Sequence, residues 1–168
     1  MTPGTQAAEL PTGIQQELRD ARSTAFDHLD AMAAVLDESG VVVDTNEAWR
    51  LFTDLNGGSI KNCGTGVDYL QVCDRAAASG SDDAALVAGG LRRILDGECS
   101  RFDLEYRGDS PTEGRWFLLR AFVIPVDNGV GVMVLHDDVT ARRQLECRLA
   151  ECSELDELTG LPNRRSVL

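Results

Sequence analysis

Apolar residues recur along the chain in two kinds of pattern. Ile14, Leu18, Ala21 and Ala25 are spaced four, three and four residues apart, the narrow seam of a helix that meets another helix. Thr12-Gly-Ile-Gln15 has capping-box spacing and predicts the helix start at Thr12, after a small, polar stretch over 1–11 that is expected to be a disordered tail. Ala33–Leu36 and Val41–Val43 are short apolar runs separated by the turn chemistry of Asp37-Glu-Ser-Gly40, which predicts a β-hairpin. Asn46 is placed to cap a following helix, with Glu47 in its first turn and Trp49, Leu51, Phe52 and Leu55 as its buried side.

After a loop over 56–66, a short helix is expected over 67–77, carrying Tyr69, Leu70 and Cys73. A longer one begins after Ser79 or Ser81, runs through Val87, Leu91, Ile94 and Leu95, and stops at Gly97. Gly89-Gly90 lies in its middle, where each glycine costs roughly 1 kcal/mol against alanine. Either a ligand or a close helix-to-sheet approach needs a thin backbone there, or the pair is drift in a Gly- and Ala-rich chain. Phe102, Leu104 and Tyr106 then alternate with charged residues, as on an edge strand with one wet face. From Arg115 to Ile124 both alternating sets are largely apolar, which predicts a central strand covered on both sides. Val130–Leu135 is the last strand, and Leu145, Leu149 and Cys152 return to coiled-coil spacing amid charges. Strands at both ends enclosing a group of helices imply an α+β fold, one antiparallel sheet with helices on a face.

Charge narrows the function. Against 28 Asp and Glu there are 16 Lys and Arg, a net charge of −12 that disfavours phosphate backbones and anionic membrane surfaces, so neither nucleic acid nor membrane is an expected partner. The N-terminus lacks a basic stretch followed by an apolar run, and the longest apolar stretch, 117–126, is interrupted by Arg120 and too short for a bilayer. Five cysteines without a CxxC pair read as reduced thiols, and the expected location is the cytoplasm. No metal-ligating cluster, phosphate-binding glycine loop, nucleophile elbow or HExxH appears, so no catalytic residue and no metal are expected in these 168 residues. His28 and His136 are assigned structural roles.

Four stretches in order resemble PAS sensor domains: Val35-Leu-Asp-Glu-Ser-Gly-Val-Val-Val-Asp-Thr-Asn46 with Ala48-Trp49, Val67-Asp-Tyr-Leu-Gln-Val-Cys73, Arg115-Trp-Phe-Leu-Leu-Arg120, and His136-Asp-Asp-Val-Thr140. The resemblance implies a five-stranded antiparallel sheet cupping short helices, with a possible small-molecule site for which Phe52, Tyr69, Leu91, Trp116, Leu118 and Arg120 are candidates. Arg120 would hold a ligand carboxylate or, alternatively, pair with a protein Asp or Glu. It further implies that Asp138 and Thr140 pass the signal into the following helix. The cofactor is open. Haem is disfavoured because residues 46–97 hold no histidine, and flavin because the spacing after Asn62-Cys63 departs from the photosensor pattern. Asp156-Glu-Leu-Thr-Gly-Leu-Pro-Asn-Arg164 is similar to the segment that opens diguanylate cyclase (GGDEF) domains, matching at Asp156, Leu158, Thr159, Gly160, Leu161, Asn163 and Arg164. The implied organisation is a helix over 12–30, a sensor over 31–140, a signalling helix over 141–155 and the start of a truncated cyclase domain over 156–168. The expected function is that of a homodimer, paired through its flanking helices, that senses a small-molecule or other intracellular signal and regulates a cyclase domain in cis. The alternatives are a ligand-free PAS scaffold and an enzyme lacking its catalytic half.

Overall fold

The computed structural model describes residues 11–55, 64–109, 114–126 and 129–154. Helix α1 (Thr12–Asp27) leads to β1 (Met32–Leu36), β2 (Val42–Thr45) and α2 (Glu47–Leu55). Then follow α3 (Tyr69–Ala78), α4 (Asp82–Leu95), β3 (Arg101–Asp109), β4 (Gly114–Val126), β5 (Gly129–Asp138) and α5 (Thr140–Glu154). The five strands form one antiparallel sheet in the order β2-β1-β5-β4-β3, the α+β arrangement expected. β3 is an edge strand as predicted, but the middle place belongs to β5, and β4 lies one strand in from the edge. β5 also runs three residues past its predicted end, because His136, Asp137 and Asp138 continue to pair with Leu119, Leu118 and Phe117.

One face of the sheet carries the core. Ala34, Leu36, Leu119, Ala121, Val132 and Val134 pack against Val87, Ala88, Leu91 and Ile94 of α4 and Cys73 of α3, all buried. The glycine pair in α4 resolves into two different positions. A Cβ on Gly90 would stand 2.5 Å from the Phe102 ring, so this residue lets α4 settle onto β3, whereas a Cβ on Gly89 would meet nothing within 4 Å.

Local polar groups set the element ends. Asn46 is fully buried, and its Oδ1 accepts from the Ala33 and Trp49 amides at 2.9 and 3.0 Å. Its Nδ2 donates to the Ala31 and Leu29 carbonyls at 2.8 and 3.2 Å. The predicted cap is therefore also the clamp that ties down the bend ahead of β1, and α1 ends at Asp27 rather than at residue 30. The capping box at Thr12 does not form: Thr12 is the first helical residue, after Pro11, and no side chain caps α1. Asp68 and Ser81 cap α3 and α4 by accepting from the Gln71 and Ala84 amides. In α2 the buried side differs from the expectation, with Trp49 and Thr53 inside while Leu51 and Leu55 are 57% and 77% exposed. No helix among the described residues is long and apolar enough to cross a membrane.

Replacing Gly89 by Ala is expected to raise stability by about 0.5–1 kcal/mol through helix propensity, and Gly90→Ala to lower it by about 1–3 kcal/mol through overpacking against Phe102. Urea midpoints of the two variants moving in opposite directions from wild type check this.

Candidate functional site

β5 alternates strictly between the two faces of the sheet. Val132, Val134 and His136 point to the helices, while Asp137 belongs to the outer set. His136 is buried among rings and bonded on both sides: the Tyr69 hydroxyl lies 3.1 Å from Nε2 and the Tyr106 hydroxyl 2.7 Å from Nδ1. Trp49 meets the imidazole edge to face at a centroid distance of 5.5 Å, and Tyr69 lies 6.0 Å from Trp49. Phe117 extends the group, stacked on Tyr106 at 5.7 Å and met edge-on by Phe52 at 5.8 Å. Two helices, α2 and α3, and two strands, β3 and β5, thus meet at a single imidazole.

Burial fixes the protonation of this cluster. It pulls the His136 pKa down to about 4, so the ring is neutral, with one nitrogen donating and the other accepting. One tyrosine hydroxyl must then donate to the ring and the other accept from it. The Tyr106 phenol is pushed above its usual range by burial, with Cys73 and Asp83 adding to the effect. Burial, helped by Asp74, raises the Cys73 thiol to about 11, so it stays an unreactive thiol at neutral pH. The described groups in this part of the cup are therefore uncharged and aromatic.

Two residues beyond His136 the junction between β5 and α5 begins. Asp138 Oδ1 accepts from the Thr140 amide at 2.9 Å, and Thr140 Oγ1 accepts from the Trp116 amide at 2.9 Å. Between them Val139 is buried and donates its amide to the Trp116 carbonyl at 2.8 Å. The first turn of α5 is then fastened to the outer face, where Arg142 and Arg143 both bond the Glu105 carboxylate of β3, holding it below the usual carboxylate range. The Arg143 guanidinium also lies 4.8 Å over the Trp116 ring. Asp138 and Thr140, the expected signal residues, both lie at the start of α5 and bond there.

The six candidate ligand residues are not brought together. Tyr69, Leu91 and Phe52 lie on the helix side, whereas Trp116, Leu118 and Arg120 belong to the alternate set of β4 and lie on the outer face, opposite Phe117, Leu119 and Ala121. Arg120 pairs there with Asp137 of β5, the protein carboxylate of the two alternatives. Asp156, Leu158, Thr159, Gly160, Asn163 and Arg164 lie outside the described residues, as do 1–10 and most of the 56–66 loop. His28 follows α1, its ring bonded to the Thr24 carbonyl at 2.8 Å. Trp49, Tyr106 and His136 come together as a group that no sequence motif marks. The available signal was the alternation itself, which puts Tyr106 on the same strand face as Phe102 and Leu104 and His136 on that of Val132 and Val134.

A twisted antiparallel sheet with helices gathered in its cup, and a helix leaving from the end of its middle strand, defines a sensory-type α+β domain. Residues 26–144 match the PAS fold, and the chain belongs to the PAS family. It is 34% identical over 117 residues, 68% of its length, to an uncharacterized 104.1 kDa protein of Rhodobacter capsulatus, spanning only 12% of that relative. Among solved structures it is similar to the PAS domain of Bordetella pertussis BvgS, with 17% identity, a TM-score of 0.50 and coverage of 82% of this chain and 98% of that one. The phage VqmA–DPO complex matches with 18% identity, a TM-score of 0.54 and coverage of 86% and 62%.

The neutral His136 makes stability depend on pH. An unfolded histidine titrates near 6.5 and the folded ring only near 4, so between these values the unfolded state alone takes up the proton. Stability is then lost as pH falls through that window, by up to about 1.4 kcal/mol per pH unit from this group. Replacing His136 with Gln is expected to flatten the profile between pH 6.5 and 4 relative to wild type in urea unfolding; parallel profiles would contradict the assignment.

Proposed function

We propose that this chain is a sensory module whose interior cluster responds to a small molecule and whose last strand sets the position of α5. Through α5 it controls a diguanylate cyclase domain that follows in the same polypeptide. The observation that carries this reading is the continuity of β5, in which His136 contacts the helices of the cup and Asp138 and Thr140, two and four residues later, hold the start of α5. A displacement of α3 acting on Tyr69 reaches α5 without crossing a flexible linker.

The cyclase assignment rests on the similarity of Asp156–Arg164 to the opening segment of that domain. The Rhodobacter capsulatus relative, of which the matched stretch is 12%, supports the idea that this unit works inside a larger polypeptide. Pairing of two copies through the flanking helices is supported by their surfaces. α1 buries no residue against its own domain and shows Ile14 and Leu18 to solvent, and Leu145 and Leu149 of α5 are likewise exposed. The same surfaces suit the second reading, a scaffold that pairs without binding a ligand.

The test uses the polypeptide encoded through and beyond residue 168. Thr140→Val removes the bond to the Trp116 amide and leaves any following domain intact. It is expected to change the rate of cyclic di-GMP formation from GTP about fivefold or more, the effect of releasing a joint held by roughly 1 kcal/mol. An unchanged rate would contradict control through this joint, and no cyclic di-GMP from the wild-type polypeptide would contradict the cyclase assignment.

A further inference from the structure

α5 does not close on the sheet as a core helix would. Thr140, Arg143, Gln144, Cys147 and Arg148 recur at three- and four-residue steps and line one side of the helix, while Leu145 and Leu149 lie on another. The side turned to β4 is thus polar and cationic, and beyond the Glu105 clamp α5 stands off the strand. Between them lies an open groove of about 500 Å³, lined by these residues together with Gly114 and Trp116. That volume is in the range of small-molecule sites.

The lining is chemically specific. Among the described residues it holds two guanidinium groups, the indole of Trp116, an amide, a hydroxyl and a thiol, and the one carboxylate bonded to this lining is that of Glu105, on Arg143. Arg143 is held in place by Glu105 and lies over the indole, while its buried Nε has no hydrogen-bond partner. Arg148 has no carboxylate partner among the described residues, and its one bond is a long Nε contact of 3.4 Å to the Gln144 carbonyl. A charge left unpaired beside an aromatic wall and a side-chain amide suits a molecule with an anionic group next to a flat heterocycle. The repulsion of distant surface carboxylates is screened beyond about 8 Å at physiological salt, and the local groups, Arg142, Arg143 and Arg148 against Glu105, leave the potential at the groove positive.

We propose that the groove between β4 and α5 binds a nucleotide, its phosphate on Arg148 and Arg143 and its base against Trp116 with Gln144 at the base edge. The site is separate from the interior of the cup and does not depend on the cyclase reading. A nucleotide seated there spans the sheet and the signalling helix, and so reports a second chemical input at the same joint.

Isothermal titration of the 168-residue chain with AMP, adenosine and inorganic phosphate separates the contributions. AMP is expected to bind saturably, at least about tenfold more tightly than either fragment, because only AMP uses both the cationic and the aromatic part of the groove. Arg148→Ala is expected to weaken AMP about tenfold or more with an unchanged melting temperature, since its side chain is exposed and carries no structural ion pair. Trp116→Leu is expected to weaken AMP but not phosphate. No AMP binding at about 5 mM would overturn the proposal. AMP binding that survives Arg148→Ala would do the same, as would equal affinity for AMP and adenosine. Equal affinity for AMP and inorganic phosphate would overturn the role given to Trp116.

Discussion

A strand in the middle of a sheet shows successive side chains to opposite faces, and a change in its position is therefore felt on both. β5 occupies that place, hydrogen-bonded to β1 on one side and β4 on the other. Its last residues use the alternation fully. His136 is held in the helix-covered face by two tyrosine hydroxyls, Asp137 pairs with Arg120 on the outer face, and Asp138 receives the amide of Thr140 at the start of α5. Inner cluster, outer surface and exit helix are thereby joined within five residues. The remaining architecture serves this strand: Asn46 ties the approach to β1 to the start of α2, and the thin backbone at Gly90 lets α4 press on the sheet.

The interior and the outer face carry opposite chemistry. Inside, burial keeps His136 neutral and raises the Cys73 thiol and the Tyr106 phenol, so uncharged polar groups are paired with one another among aromatic rings. Outside, charges are paired, Arg120 with Asp137 between neighbouring strands and Glu105 of β3 with Arg142 and Arg143 of α5. Such partly exposed pairs contribute little stability singly, but the double clamp on Glu105 fixes where α5 leaves the sheet.

Much of this was legible in the amino-acid order, and the limits are physical. The hairpin, the Asn46 cap, the helices bearing Tyr69 and Leu91 and the edge position of β3 follow from period and turn chemistry. Which strand lies in the middle does not, because pairing order is a long-range property, and the doubly apolar β4 gives way to β5 there. The candidate ligand residues failed to converge for a simpler reason. Trp116, Leu118 and Arg120 share one strand face with each other but the opposite face from Phe117 and Leu119, and no local pattern says which of two apolar faces meets the helices. The Tyr69–His136 bond joins residues 67 positions apart and could be found only once the strands were in register.

The central claim is that the interior cluster and the α5 joint move as one through β5. Amide hydrogen exchange of Tyr69→Phe against wild type tests it most directly, since this change removes only the hydroxyl that bonds His136 from α3. The account predicts faster exchange at the Val139 and Arg143 amides, which bond the Trp116 and Val139 carbonyls at the joint, with α1 unchanged. Faster exchange confined to α3, with the Val139 and Arg143 amides as protected as in wild type, would contradict it.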